Sequence, residues 1–184
     1  MNHKIFLISD LHLNHKNIIK YCHRPYKDVY QMNANLIRKW NDTVNDDDIV
    51  YYLGDFALAK NPNVWKDKFN GNIIFIRGNH DKGLYGIADS KKIIYKGYKF
   101  WLNHYPTSIP KDWDGWVIHG HTHNNSKKYT FVNGDARTIN VSCELVDYRP
   151  VDLDKIIALN IESIKKMDTI HSKPVRRNKM ECNL

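Results

Sequence analysis

Seven side chains in this sequence could bind metal ions without any thiolate: Asp10, His12, Asp55, Asn79, His104, His121 and His123. Each follows a short apolar run. Ile5 to Ser9 leads into Asp10-Leu11-His12, and Ile49 to Leu53 into Gly54-Asp55. Ile73 to Ile76 leads into Gly78-Asn79-His80-Asp81, Tyr98 to Leu102 into Asn103-His104, and Trp116 to His119 into Gly120-His121-Thr122-His123. Runs rich in β-branched and aromatic residues read as buried strands, and ligands of open α/β sheets gather at the carboxyl ends of strands. One ion cannot use seven ligands. Two adjacent ions can, if one carboxylate is shared, and Asp55, alone at its strand end, is the natural bridge. Imidazole, amide and carboxylate suit Mn, Fe, Zn, Ni and Co.

The elements that must position these groups can be read in outline. In extended backbone Asp10 and His12 face the same way, and Gly78 permits a turn that a side chain would hinder. Asn14 to Tyr21 reads as a helix with Ile18 and Ile19 inward, which brings His15 near the same place. Asp28 to Val44 reads as a second helix, with Leu36, Ile37, Trp40 and Val44 on one face. Asn45-Asp46-Asp47-Asp48 reads as a solvated turn, because these acids precede an apolar strand instead of following it. Pro62 suits the first turn of a short helix over Asn61 to Phe69. Lys96-Gly97 joins a hairpin of Lys91 to Tyr95 and Tyr98 to Leu102. Thr138 to Cys143 completes the strands. Asp152 reads as the N-cap of a last helix whose apolar face is Ile156, Ile157, Ile161, Ile164 and Met167.

Size and composition set the frame. The 184 residues are 42% hydrophobic and 12% aromatic, enough for a real core. One domain over 1–170 is expected, followed by a flexible basic tail over 171–184. The three cysteines, Cys22, Cys143 and Cys182, contain no CxxC pair, which argues against a disulfide framework and a cysteine-based zinc site. No apolar run has membrane-spanning length, and Met1-Asn2-His3-Lys4 enters a strand without a signal region; a cytoplasmic protein is expected. The formal charge of +8 suits an anionic substrate as well as ordinary solubility. No aromatic-plus-basic platform of an RNA-binding type stands out.

Taken in order, Asp10-Leu11-His12, Gly54-Asp55, Gly78-Asn79-His80-Asp81, His104 and Gly120-His121-Thr122-His123 resemble the five motifs of the calcineurin-like metallophosphoesterases, over Ile5 to about Val141. Ser9-Asp10-Leu11-His12-Leu13-Asn14-His15 and Leu53-Gly54-Asp55-Phe56 resemble the small single-domain members of bacteria and phages. The resemblance implies an α/β fold, a four-layer α/β/β/α sandwich of two mixed sheets flanked by helices. It also implies a ligand split: Asp10, His12 and His123 for a first ion, Asn79, His104 and His121 for a second, and Asp55 between them. The implied chemistry is hydrolysis of a phosphodiester or phosphomonoester by a hydroxide bridging two divalent metal ions, Mn foremost. His80 would then assist the leaving oxygen, with Asp81 orienting its imidazole.

Other residues leave alternatives open. Arg77 corresponds to an arginine that touches phosphate in the family's phosphoprotein phosphatases; the alternative is a surface arginine. His15 could contact substrate or cap its helix. His119 alternates away from His121 and reads as structural, as does Cys143. Trp113 and Trp116 could form a pocket wall or core, and the loops Thr107 to Gly115 and Asn124 to Asp135 are where substrate choice would lie. The expected partner is a phosphorylated small molecule or nucleotide. A nuclease would use the positive charge for backbone contacts. A protein-binding scaffold without turnover is the rival from another class, although such members typically lose ligands or His80, and here all are present.

Overall fold

The computed structural model of the chain describes residues 3–177. Its strands are β1 (Ile5–Ile8), β2 (Ile49–Tyr52), β3 (Asn72–Ile76), β4 (Ile87–Ala88), β5 (Ser90–Tyr95), β6 (Tyr98–Asn103), β7 (Trp116–His119), β8 (Val132–Asn133), β9 (Thr138–Asn140), β10 (Val151–Asp152), β11 (Ile164–Met167) and β12 (Val175–Arg176). They form two mixed sheets, ordered β10-β1-β2-β3-β4 and β12-β11-β8-β9-β7-β6-β5. Helices are few: α1 (Ile18–Tyr21), α2 (Val29–Asn41) and α3 (Leu153–Ala158), with 3-10 turns at Pro62–Lys68, Cys143–Val146 and Ile161–Ser163. The chain thus has the α/β sandwich architecture of two mixed sheets that the resemblance implies. Among the described residues no helix is long and apolar enough to cross a membrane.

Parallel pairing decides where the chemistry goes. β1, β2 and β3 are parallel, with Ile8 opposite Tyr52 and Tyr52 opposite Phe75. In the other sheet β6, β7 and β9 are parallel, with Leu102 opposite Ile118 and Ile118 opposite Ile139. The loops that leave these strands therefore emerge along shared edges. A parallel bridge between Ser9 and Ser142 joins the two edges, through Ser9 N to Val141 O (3.0 Å) and Cys143 N to Ser9 O (3.1 Å).

The core explains why the segments lie this way. Asp28 caps α2 by accepting from Gln31 N at 2.8 Å, and the helix buries Met32, Leu36 and Trp40. Trp40 meets Phe69 and Tyr52 at centroid distances of 4.9 and 6.2 Å, and Phe56 joins Tyr52 and Phe75 at 5.2 Å each. Emptying such a position, as in Trp40→Ala, costs about 3–5 kcal/mol.

Several boundaries differ from the sequence pattern. The last helix stops at Ala158, because Asn160 takes a left-handed φ of 56°, a conformation that ends helices and suits asparagine. Ile164 and Met167, which read as its apolar face, are instead the two buried ends of β11. Cys143 is buried as expected but opens a 3-10 turn, not a strand end. The helix after His12 begins only at Ile18. Within the segment read as a flexible tail, Val175–Arg176 pairs antiparallel with β11, while residues 178–184, including Cys182, lie outside the described residues. Asp48 is not a solvated loop acid: it is 5% exposed and accepts from Lys4 N (3.0 Å) and Asn45 N (2.9 Å), fixing the entries to β1 and β2.

Candidate metal centre

The candidate ligands are delivered by left-handed backbone, not by strand alternation. Asp10, His12, Asp55, His121 and His123 all have positive φ, between 48° and 69°. Asp and His are among the residues that tolerate this region. The extended geometry expected for Asp10 and His12 is therefore replaced by two sharp reversals past the end of β1. They are held by pairing between loops: Asp10 N bonds Gly54 O (2.9 Å), His12 N bonds Asp55 O (3.0 Å) and Leu13 N bonds Phe56 O (2.9 Å). Gly78 has no positive φ. Its role is close approach, since a Cβ there would collide with the Asp55 carboxylate and backbone. Gly120 in the same way leaves room for Ser9 and the Asp10 carboxylate.

Two clusters result. Asp10, His12 and His123 each offer a ligand atom within 4.8 Å of the others, and so do Asp55, His104 and His121. His12 Nε2 lies 3.4 Å from Asp55 Oδ2, and His104 Nε2 lies 3.5 Å from the same oxygen. Asp55 thus stands between the clusters. Asn79 Oδ1 is 3.1 Å from His104 Nε2 and from His121 Nδ1, and those two nitrogens are 3.2 Å apart. Atoms bound to one ion at about 2.1 Å would be roughly 3.0–3.4 Å apart. The seven predicted ligands are therefore brought together. A third trio, Cys22, His123 and Glu144, meets the same distance limit, but Arg24 already neutralises Glu144 there.

The donor chemistry fits cations. His104 Nδ1 donates to Leu53 O at 2.8 Å, which leaves the Nε2 lone pair facing inward. His123 Nδ1 lies 3.1 Å from Glu144 Oε1, so its Nε2 points towards Asp10. Such outer hydrogen bonds fix the tautomer of a metal-ligating histidine. His12 Nε2 is buried and has no hydrogen-bond partner, a costly state for a polar atom unless a cation meets it.

Titration follows the same crowding. Burial pushes His12 down to about 3, against the pull of Asp10 and Asp55. Burial would also lower His104 and His123, but Asp55 and Asp10 hold His104 up at about 9. Asp10, Cys22 and Glu144 hold His123 up at about 11. Burial would raise Asp55, yet His104 and His12 bring it down to about 2.

Sequence motifs missed the groups behind these ligands. Ser9 Oγ and Ser142 Oγ flank Asp10 Oδ2 at 2.5 and 2.9 Å. Arg24 is buried, donates to the carbonyls of Asp10 and Leu11 at 2.7 Å each, and pairs with Glu144 at 2.7 Å. Burial would raise Glu144, but Arg24 and His123 outweigh it and hold the carboxyl at about 2. Only Ser9, which touches the Asp-x-His motif, carried a local signal. Arg24 and Glu144 are 120 residues apart and belong to no motif.

Asp81 is a correction. It does not orient His80. Its carboxylate is buried and accepts from Asp55 N (2.8 Å), Gly78 N (2.7 Å) and Phe56 N (2.8 Å), tying the Asp55 loop to the Gly78 turn. The reason is the shared edge of β2 and β3, which places three unpaired amides around one carboxylate. His80 N donates to Asp55 Oδ1 (2.8 Å), while its exposed ring sits 5.4 Å from His12 and 6.3 Å from His15. His15 caps no helix: its Nδ1 is buried without a partner, and its ring lies 5.4 Å from His12. Arg77 is exposed, pairs with Asp89 at 2.9 Å, and lines a cleft of about 400 Å³ with Asn79, Lys82, Asn103 and Tyr105. Trp113 packs against Trp101 at 5.7 Å, and Trp116 is buried in the core.

The class so defined is an α/β sandwich with paired ligand clusters at its strand ends. More narrowly, residues 3–172 match the model of the calcineurin-like phosphoesterases, and the chain belongs to that family. It is 49% identical over 175 residues to an uncharacterized protein of Methanocaldococcus jannaschii, covering 91% of this chain and 97% of that one. A crystal structure of a protein of unknown function from Aquifex aeolicus superposes with a TM-score of 0.67 at 26% identity, over 86% of this chain and all of that one. A novel archaeal phosphodiesterase matches 76% of this chain and 82% of its own at 20% identity, with a TM-score of 0.42.

Proposed function

We propose that the chain is a phosphohydrolase that works with two divalent cations, Mn first among Mn, Fe, Zn, Ni and Co. The observation that carries this reading is the position of Asp55 Oδ2, 3.4 Å from His12 Nε2 and 3.5 Å from His104 Nε2. Asp10, His12 and His123 would hold one cation, Asn79, His104 and His121 the other, with Asp55 shared. Cations there supply Lewis acidity towards phosphoryl oxygens and make the attacking water more acidic. The chain's own groups do the rest. Leu53 O and Glu144 keep two imidazoles in the ligating tautomer. Asp81 holds the Asp55 loop rigid. The His80 ring stands at the mouth, where it can give a proton to the leaving ester oxygen. Arg77 and His15 border the same mouth and would contact the phosphoryl group or its substituents.

With Asn79, His80 and His121 exposed, the mouth admits a phosphodiester as well as a monoester. The test is hydrolysis of a chromogenic phosphodiester and its matching monoester by metal-stripped protein, with Mn added back, beside His80→Ala. Metal-dependent turnover that needs His80 is the expected result. Two ions bound per chain without turnover of either ester, across several metals, would favour a metal-bound scaffold that binds a protein partner instead.

A further inference from the structure

The loops around the metal centre carry exposed lysines. The loops that leave the ligand-bearing strand ends carry exposed Lys16, Lys20, Lys60, Lys82, Lys127 and Lys128. Among the described residues none of these six has a carboxylate partner. The acids in those loops are largely engaged: Asp10 and Asp55 in the centre, Asp81 on backbone amides, Asp28 capping α2, Asp89 with Arg77 and Asp114 with Lys99. The loops at the opposite end carry the exposed acids Asp42, Asp46, Asp47 and Asp154, of which Asp42 and Asp154 pair with Arg38 and Lys96. Exposed lysines without an ion-pair partner thus stand in the loops around the metal centre, while other exposed lysines, such as Lys91, Lys155 and Lys165, lie elsewhere on the chain.

Two further features adjoin the centre, one beside each cluster. Beside His12, the Tyr21 ring is 62% exposed and stands edge-on to His15 at 6.3 Å. Beside Asn79, the cleft lined by Arg77, Lys82 and Tyr105 opens directly onto the second cluster. Around α1, Asn124 Nδ2 bonds Cys22 O at 3.0 Å, which holds the loop bearing Lys127 and Lys128 against the helix that carries Tyr21. An exposed aromatic face with surrounding lysines suits a single strand, whose unpaired bases can stack while its phosphates meet cations. A duplex keeps its bases stacked internally and leaves Tyr21 unused. Lys16, Lys20 and Tyr21 come from one segment, but Lys82, Lys127 and Lys128 join them only through the fold.

We propose that the substrate is a single-stranded nucleic acid, lying across the centre from the Tyr21–His15 side to the Arg77–Lys82 cleft. This rests on the phosphohydrolase reading above and names its substrate class. One water is consumed as one P–O ester bond breaks, leaving a phosphate monoester on one fragment and a hydroxyl on the other. Lys16 and Lys20 neutralise phosphates on one side and Lys82 on the other, and Tyr21 stacks with a base next to the scissile phosphate.

The test uses the Mn-loaded full chain with a labelled oligothymidylate, the same strand in a duplex with oligoadenylate, and a chromogenic diester. Wild type, Tyr21→Ala and a Lys16→Glu/Lys20→Glu variant are compared. The single strand should be cleaved at least tenfold more efficiently than the duplex. Each variant should lose at least about tenfold more kcat/KM on the strand than on the chromogenic diester, the range of one lost stacking contact. Strand binding should weaken with salt, with a log–log slope of about −2 if these three lysines engage phosphates. Turnover of the diester with the strand untouched would overturn the substrate class and leave the phosphohydrolase standing. So would equal losses on strand and diester, or preference for the duplex. Absence of turnover on every ester would instead remove the phosphohydrolase reading, and the substrate class with it.

Discussion

Asp10 and His12 belong to the core, and the third member of their cluster, His123, is anchored from behind by Glu144 and Arg24. The other cluster is built differently. His104 is buried and tied to a strand carbonyl, but Asn79 and His121 stand at the surface. The shape of the first pocket is therefore fixed by packing and a buried ion pair. That of the second depends on two side chains that can turn away without disturbing the fold. Preorganised ligands lose less freedom on binding, so a cation in the first pocket should be held more tightly and exchange more slowly than one in the second.

The difference can be removed at Asp55, the one group that serves both sides. Asp55→Ala should empty or distort both pockets and lower turnover by on the order of a thousandfold or more, with metal content read by elemental analysis. Two ions retained at full occupancy would show that Asp55 is no bridge. His80→Ala should leave both pockets loaded and cut turnover by about a hundredfold to ten-thousandfold. Loss of metal in that variant would mean that His80 supports the Asp55 loop and not the reaction. Glu144→Gln separates the pockets. Removing one partner of a buried ion pair destabilises by about 3–5 kcal/mol, and loss of an outer ligand support weakens metal binding by about 10- to 100-fold. Calorimetric titration should show one of two sites weakened; equal weakening of both would erase the asymmetry.

The smallest effect lies far from both pockets. Burial would raise the pKa of Asp48, but the amides of Asn45 and Lys4 outweigh it and hold it low. A depressed carboxyl stabilises the fold above its unfolded pKa, and that contribution fades as pH falls through the folded value. Asp48→Ala should therefore cost about 1–3 kcal/mol at neutral pH, and the gap to wild type should close below about pH 4. Metal affinity of both pockets should stay unchanged, as thermal melts and titrations can show side by side.

The identity of the candidate ligands was legible because each stands directly after a strand, and strands announce themselves by composition. Their geometry was not. Five of the seven lie in left-handed backbone, which no pattern of non-glycine residues reveals. The resemblance implied that Asp81 orients His80, whereas its carboxylate reaches back to amides at positions 55 and 56. Apolar residues at 161, 164 and 167 suit one face of a helix, so β11 was hidden until Asn160 ended α3. Arg24 and Glu144 meet only through the tertiary fold.

The five left-handed positions have a consequence for how the chain can change over generations. A non-glycine residue in that region costs about 1–3 kcal/mol where its surroundings enforce it, and glycine would relax it. Substitution of Asp10, His12, Asp55, His121 or His123 by glycine would thus ease the backbone while deleting a ligand. In a copy of this chain freed from its reaction, exposed His121 could be exchanged for glycine at least cost, whereas Asp10 and Asp55 accept buried hydrogen bonds that glycine would leave unmet.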